Sequence, residues 1–225
     1  MKRLLLLIII PLICSSAFAH KERWDENRDS WSPLMVTIYN NQITAYLELI
    51  KQGADVNFIS GNENTGWKLT ALDIALRKNN EIAVKALLNT SKVLTPEKYM
   101  MTASSQNSAL NVELLIKYGA NPNETLDNGY SVLMNAASFG SREVLEVLLK
   151  HGAKTNQKRN VDGITALMLA AFKGEPQKVK LLLKYGANKY AKDVNGKTAL
   201  DYVERINVGS DGNDSVKKEL GLLLK

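Results

Sequence analysis

The chain has 225 residues, of which 45% are hydrophobic, and its formal net charge at pH 7 is +6. A charge this small does not by itself indicate a nucleic-acid-binding protein, because several of the lysines lie at predicted helix ends, where the helix dipole favours them. The single cysteine, Cys14, excludes an internal disulfide bond.

The first 19 residues have the three parts of a secretory signal peptide. A basic pair precedes an apolar run, and Ala17 and Ala19 form an Ala-x-Ala cleavage site. The apolar run is shorter than the ~20 residues that a membrane-spanning helix needs, so we expect no stable membrane insertion. We therefore predict residues 1–19 as a cleaved signal peptide and a mature chain that begins near His20.

The cysteine content indicates which compartment receives the mature chain. Cleavage after Ala19 leaves a chain without cysteine, whereas a eukaryotic secreted domain of this size would more often carry disulfides. We therefore expect a bacterial periplasmic protein, with 27 basic and 23 acidic residues and a net charge of +4. Lipoprotein anchoring through Cys14 is the less favoured alternative, because Leu12 and Ile13 precede the cysteine where lipid attachment requires a small residue.

Residues 20–30 are charged and contain little to bury apart from Trp24, so we predict a polar N-terminal extension. A repeating helical pattern follows it. Four segments end an apolar helix at a Gly-Ala pair: "LIKQGADVN" at 49–57, "LIKYGANPN" at 115–123, "LLKHGAKTN" at 148–156 and "LLKYGANKY" at 182–190. Successive glycines are 66, 33 and 34 residues apart, which is a period near 33 with one degenerate unit.

Five of the units open with a Ser or Thr before a short apolar helix. These openings are "SPLM" at 32–35, "TALD" at 70–73, "SVLM" at 131–134, "TALM" at 165–168 and "TALD" at 198–201. The two helices of a unit are too short to be stable alone, because helix nucleation is costly and one hairpin leaves its apolar faces in water. We therefore expect each hairpin to bury one face on the unit before it and one on the unit after it.

A period of 33 with a turn, a Thr-Pro-Leu-His-like helix start and a Gly-Ala stop resembles the ankyrin repeat over roughly residues 30–205. The resemblance implies an all-α solenoid of about six helix-turn-helix units with β-turn loops and atypical terminal units, and we assign residues 31–225 to it. The sequence departs from the family at the histidine of the motif, which puts the usual Thr-to-His hydrogen bond in doubt. The residues there are Met35, Asp73, Met101, Met134, Met168 and Asp201.

The residues do not indicate an enzyme, a metal site or a cofactor site. His151 occupies the helix-end position that holds Tyr118 and Tyr185 in sister repeats, so we interpret it as a surface residue of the repeat. The sequence contains no glycine-rich phosphate loop, nucleophile elbow or Cys/His metal spacing. The tripeptides "DNG", "VDG" and "VNG" recur before the helix pairs as β-turns.

The family resemblance implies a concave binding face made of the turn tips and the ends of the first helices. Its register places equivalent turn positions at Trp31, Leu69, Glu97, Tyr130, Ile164 and Lys197. Exposed aromatic residues and arginine are typical of interface hot spots. Our candidates for protein binding are Trp31, Tyr39, Trp67, Arg77, Tyr130, Phe139, Phe172 and Lys173. For the two tryptophans an alternative stays open, namely that they only cover the N-terminal unit.

The expected partner is therefore another protein, with no nucleic acid, and the chain is expected to be monomeric when free. Its size and leader are similar to those of exported ankyrin-repeat inhibitors, which implies an immunity-type binder that masks a toxic effector such as a lipase. Two alternatives remain open at this stage. One is a scaffold or protective partner of a resident periplasmic enzyme, for instance in oxidative defence, and the other is a secreted factor that binds a host protein.

The first prediction concerns the leader. We expect mass spectrometry of the protein from the periplasm to show an N-terminus at His20, because the alanines suit the signal protease. A mature chain that begins at a lipidated Cys14 would contradict this assignment.

Overall fold

The computed structural model describes residues 30–61, 68–90, 99–204 and 213–225. These residues form twelve α-helices in six consecutive pairs, which confirms the predicted all-α repeat architecture. The described residues group into two compact units, one up to residue 90 and one from residue 99 onwards. The predicted signal peptide, residues 20–29 of the extension, Cys14 and Trp67 lie outside the described residues.

The first unit contains two helix pairs. They are α1 (Pro33–Tyr39), α2 (Ile43–Lys51), α3 (Ala71–Arg77) and α4 (Glu81–Leu88). Helix α1 packs on α2 and α3, and α4 packs on α2 and α3. The enlarged loop predicted before Thr70 is framed by two short antiparallel strands, β1 (Ser60–Gly61) and β2 (Lys68–Leu69).

The second unit contains four helix pairs. They are α5 (Met100–Ser105), α6 (Ala109–Lys117), α7 (Val132–Phe139), α8 (Arg142–Lys150), α9 (Ala166–Phe172), α10 (Pro176–Lys184), α11 (Ala199–Glu204) and α12 (Asn213–Leu224). First helices pack on first helices, from α5 through α7 and α9 to α11, while the second helices pack in a parallel row. The two inner pairs, α7–α8 and α9–α10, are thus buried between a pair on each side, as the sequence pattern predicts.

The first helices other than α5 begin at a Ser or Thr, whereas α5 follows Tyr99 and has no side-chain cap. In two repeats an aspartate at the histidine position of the family motif bonds to this Thr. The Thr70 side chain accepts from the backbone N–H of Asp73, while the Asp73 carboxylate accepts from the backbone and hydroxyl of Thr70 at 2.9 and 2.8 Å. Asp201 accepts in the same way from Thr198 at 2.7 and 2.8 Å. These reciprocal bonds satisfy backbone donors that a helix start leaves open.

The second helices end at the predicted glycines, and these ends are bridged between repeats. Gly152 and Gly186 both have φ +82°, in the left-handed region that favours glycine. Asn123 donates its side-chain amide to the carbonyl of Gly152 at 3.2 Å, and Asn156 donates to the carbonyl of Gly186 at 2.9 Å. The glycine that ends one helix therefore also presents a carbonyl to the preceding repeat.

In the described ranges, no helix combines the length and apolar character that crossing a bilayer requires.

The second prediction concerns the glycine stops. Gly152→Val should lower the free energy of unfolding by more than ~1 kcal/mol, because a β-branched side chain is strained at φ +82°. No atom lies within 4 Å of the position that a Cβ would occupy, so backbone strain is the expected cause. Gly221→Ala in α12 is the matched control, with equally open space but without a positive φ, and should be neutral or stabilising. Denaturant unfolding curves compare them, and an unchanged curve for Gly152→Val would contradict the assignment.

Candidate functional site

Tyr130 lies at the end of a loop that we call a finger, the turn-bearing segment between one repeat and the next. The fingers of the second unit are residues 124–131, 158–165 and 192–198. The Asn128 side chain accepts from the Tyr130 backbone N–H at 2.9 Å, and the Tyr130 hydroxyl lies 3.4 Å from the Ser138 hydroxyl. The Arg159 guanidinium lies 5.7 Å from the centre of the Tyr130 ring. Tyr130 is therefore half-buried and held by polar and cation–π contacts.

Phe139 and Lys173 come together from neighbouring repeats. Phe139 is the last residue of α7 and is 59% exposed. Lys173 follows α9 directly, and its ammonium lies 5.0 Å from the centre of the Phe139 ring. The pair places an exposed apolar ring and a cation side by side at the ends of two first helices.

Phe172 is half-exposed but also contributes to the packing of its neighbour. It is the last residue of α9, it is 44% exposed, and its ring makes an edge-on contact with Tyr202 at 6.5 Å between centres. The Tyr202 hydroxyl donates to the Asp193 carboxylate at 2.8 Å. Phe172 thus presents one face to solvent, while Tyr202 ties a finger to α11.

Two finger carboxylates, Asp162 and Asp193, are held by hydrogen bonds. Asp162 accepts from Arg159 Nε at 2.9 Å and makes a second, shorter contact with the same guanidinium, which lowers the pKa of Asp162. Burial alone would raise the pKa of Asp193, but hydrogen bonds from the backbone of Lys197, from Tyr202 and from Asn195 lower it. Both carboxylates are therefore held in their charged form by hydrogen bonds from their own finger and, for Asp193, also from Tyr202 of α11.

In the first unit, three of the predicted residues lie near the end of α1 or α3. The half-buried Trp31 makes an edge-on contact with Tyr39 at 5.5 Å, and the Lys78 ammonium lies 4.1 Å from the centre of the Tyr39 ring. Arg77 is half-buried, and its Nε has no hydrogen-bond partner among the described residues. A cleft of about 380 Å³ adjoins Tyr39 and Lys78. The contact with Tyr39 fits both interpretations of Trp31, as a cover and as an interface residue.

One of the turn positions that the repeat register predicts to be exposed is buried. Leu69, which the repeat register aligns with Tyr130, is only 6% exposed. It pairs with Ser60 in the β1–β2 ribbon, and this ribbon replaces the simple turn of the other repeats. The enlarged loop therefore removes this position from the surface.

The structure adds side chains that the sequence interpretation did not select. Val161 and Val194 occupy equivalent finger tips and are 72% and 68% exposed. Neighbouring tips are joined, because the Val194 backbone N–H donates to the carbonyl of Asp162 at 2.9 Å. The register could have identified these valines, since both directly precede the polar residue of a turn tripeptide. No group of three metal-ligating side chains lies close enough together to hold an ion in the part of the chain that the structure describes.

Comparison with known proteins identifies ankyrin repeats. A family model described as ankyrin repeats (3 copies) matches residues 99–193 and, overlapping with them, residues 155–203. An ankyrin repeat protein of fowlpox virus (strain NVSL) is 33% identical over 125 residues, which are 53% of this chain. The aligned segment covers 35% of the viral protein, so the chain spans about a third of that relative's length.

The third prediction concerns the buried Asp193. Because its folded pKa is lowered, its contribution to stability is present above the ordinary aspartate pKa of ~3.9 and is lost as the pH falls through the folded value. Asp193→Asn should therefore be destabilised at pH 7 and should lose less further stability than the wild type below about pH 4. Tyr202→Phe, which removes one donor, should show an intermediate pH dependence. Denaturant titrations between about pH 3 and pH 7 test this, and parallel pH profiles for all three proteins would contradict it.

Proposed function

Because this chain belongs to the ankyrin-repeat proteins, whose stacked repeats form protein–protein interaction modules, we propose that it binds another protein with the strip formed by Tyr130, Phe139, Phe172 and Lys173. We call these four residues the concave strip. They lie on the finger ends and first-helix ends of successive repeats in the second unit. The cluster around Tyr39 and Arg77 in the first unit is a second, separate candidate for protein binding.

The observation that carries the proposal is the exposure of Phe139. Its ring ends a helix whose other large apolar side chains, Leu133 and Met134, are fully buried, so stability of the repeat does not account for its position. Exposed aromatic rings are typical of interface cores, because they bury a large area on binding at a small cost in side-chain conformational entropy. The Lys173 contact also limits the rotamers of the lysine before binding.

We propose no catalytic role for the chain. Ankyrin-repeat families act as interaction scaffolds, and Asp162 and Asp193 of the fingers are engaged in hydrogen bonds that shape their loops. His151 supports the same interpretation, since it directly follows α8 and its ring nitrogen faces Glu113 at 3.5 Å.

The specific role that we propose is that of a periplasmic immunity-type inhibitor, which masks a toxic effector such as a lipase. The signal-peptide pattern of residues 1–19 supports a periplasmic location. The exposed aromatic residues of the concave strip support the masking of another protein's surface. A protective scaffold for a resident periplasmic enzyme is the second candidate, because the same surface would serve it. A secreted factor that binds a host protein is the third. An exported toxin encoded beside this gene would favour the first.

The fourth prediction tests the strip. The protein recovered from periplasm on immobilised wild-type chain should bind Phe139→Ala more weakly by ~2 kcal/mol, or about thirtyfold, with little change in melting temperature. The double variant Phe139→Ala with Phe172→Ala should lose more affinity and some stability, because Phe172 also contacts Tyr202.

Tyr190→Ala is the matched control for this experiment. Tyr190 is 69% exposed and carries the Lys189 ammonium 5.4 Å from its ring centre, but it lies at a glycine stop rather than on the strip. Its truncation should leave affinity unchanged. Full affinity of the double variant, or an equal loss in the control, would contradict the proposed binding surface.

A further inference from the structure

The charge of the chain is concentrated in one stretch of the second unit. Residues 150–197 contain eleven lysines and arginines and three acidic residues, a net charge of +8, whereas the whole chain carries +6. The rest of the chain is therefore slightly acidic, with a net charge of −2. A local field of this size attracts anions to one part of the surface rather than to the chain as a whole.

The three acidic residues of this stretch do not neutralise its exposed lysines. Asp162 is paired with Arg159, and Glu175 lies 3.7 Å from the buried Lys178. Asp193 accepts hydrogen bonds from Tyr202 and from backbone N–H groups of its own finger. Asp162 and Asp193 are thus engaged by hydrogen bonds, whereas Glu175 is exposed beside Lys178. Lys150, Lys180 and Lys197 pair with carboxylates outside the stretch, namely Glu146, Glu219 and Asp201, so the excess positive charge lies on the remaining lysines.

Three lysines bring this charge to the fingers and to the concave strip. Lys158 and Lys192 occupy equivalent positions at the start of two successive fingers, and the Lys158 ammonium donates to the carbonyl of Lys192 at 2.7 Å. Lys173 lies over Phe139 at a first-helix end. All three are exposed, and among the described residues no carboxylate lies within 4.0 Å of their ammonium groups.

Exposed aliphatic side chains stand beside these cations. Val161 lies three residues after Lys158, and Val194 lies two residues after Lys192, on the tips of the same two fingers. An occupant of this surface therefore meets cations and apolar contacts in alternation. That pattern suits carboxylate side chains mixed with apolar ones. Nucleic acid fits less well, because it requires flat aromatic faces for its bases or an uninterrupted basic groove.

We propose that the partner of this chain presents an acidic segment with interspersed apolar side chains to the fingers 158–165 and 192–198 and to Lys173. The inference rests on the proposed function, since it names the chemistry of the protein that the concave strip binds. The carboxylates of the partner meet Lys158, Lys173 and Lys192, and its apolar side chains pack on Val161 and Val194. Attraction of this kind accelerates association and weakens as salt increases.

The test uses a fluorescent peptide of ~15 residues, mostly glutamate with a few valines, and a single-stranded DNA of similar charge, both followed by anisotropy with the full mature chain. Peptide binding should weaken markedly between about 50 and about 200 mM NaCl. Lys158→Glu with Lys192→Glu should weaken it about tenfold or more. The matched control is Lys117→Glu with Lys184→Glu, which makes the same charge change at exposed ends of α6 and α10, and it should change affinity less than about twofold.

Three outcomes would overturn the inference: no peptide binding, an equal loss in both charge-reversal variants, or DNA binding as tight as peptide binding and equally dependent on the fingers. Circular dichroism verifies that each variant is folded. The affinities of the variants for the protein that the wild-type chain captures distinguish this inference from the proposed function. If that protein binds the Lys158/Lys192 variant at full affinity, the acidic-partner inference fails while protein binding stands. If the Phe139/Phe172 variant keeps full affinity but the lysine variant does not, the concave strip fails while the acidic-partner inference stands.

Discussion

Short helices that are unstable alone are the constraint on which this structure depends. Helices α5 to α11 have six to nine residues, below the ~12 to 15 at which an isolated helix becomes even marginally stable in water. Each pair therefore needs its neighbours to bury both faces, and the packing of first helices on first helices supplies this burial. The bonds from Asn123 and Asn156 to the next glycine stop hold successive repeats in register.

Register between repeats is also what creates the surface. When repeats stack at a fixed step, equivalent positions form rows, so Phe139 and Lys173 meet across a repeat boundary although they are 34 residues apart. The finger tips form another row, joined by the bond from the Val194 backbone to Asp162. Binding residues on this scaffold therefore need no special loop, because the array that stabilises the helices also places them side by side.

Much of the fold could be predicted because it depends on local chemistry. Glycine with a positive φ, Ser or Thr at a helix start and apolar residues at helical spacing have the same consequence in every repeat, and the stop at Gly186 and the cap at Thr165 follow from them. The hydrogen bonds from Thr198 to Asp201 could not be predicted in this way. Asp201 stands where the family motif has histidine, so the repeat pattern does not indicate what its carboxylate contacts.

The candidate site could be predicted only as a set of positions. Register identifies Tyr130 and Phe139, but long side chains from the next repeat decide which cation meets each ring. Lys178 shows most clearly that register does not predict what a long side chain contacts. It is only 5% exposed, at the position that Val144 occupies one repeat earlier. Its ammonium donates to the carbonyl of Ala137 at 3.4 Å. Leu69 shows a second limit, because an enlarged loop turned an expected surface position into a buried one.

The most direct test of this account is hydrogen–deuterium exchange of the mature chain, alone and bound to the protein that it captures. Stacked repeats that bind with fingers and first-helix ends should show slower exchange on binding in residues 124–131, 158–165 and 192–198, while α8 and α10 keep the rates of the free chain. Slower exchange confined to α8 and α10, with unchanged fingers, would place the partner on the opposite row of helices and contradict the account.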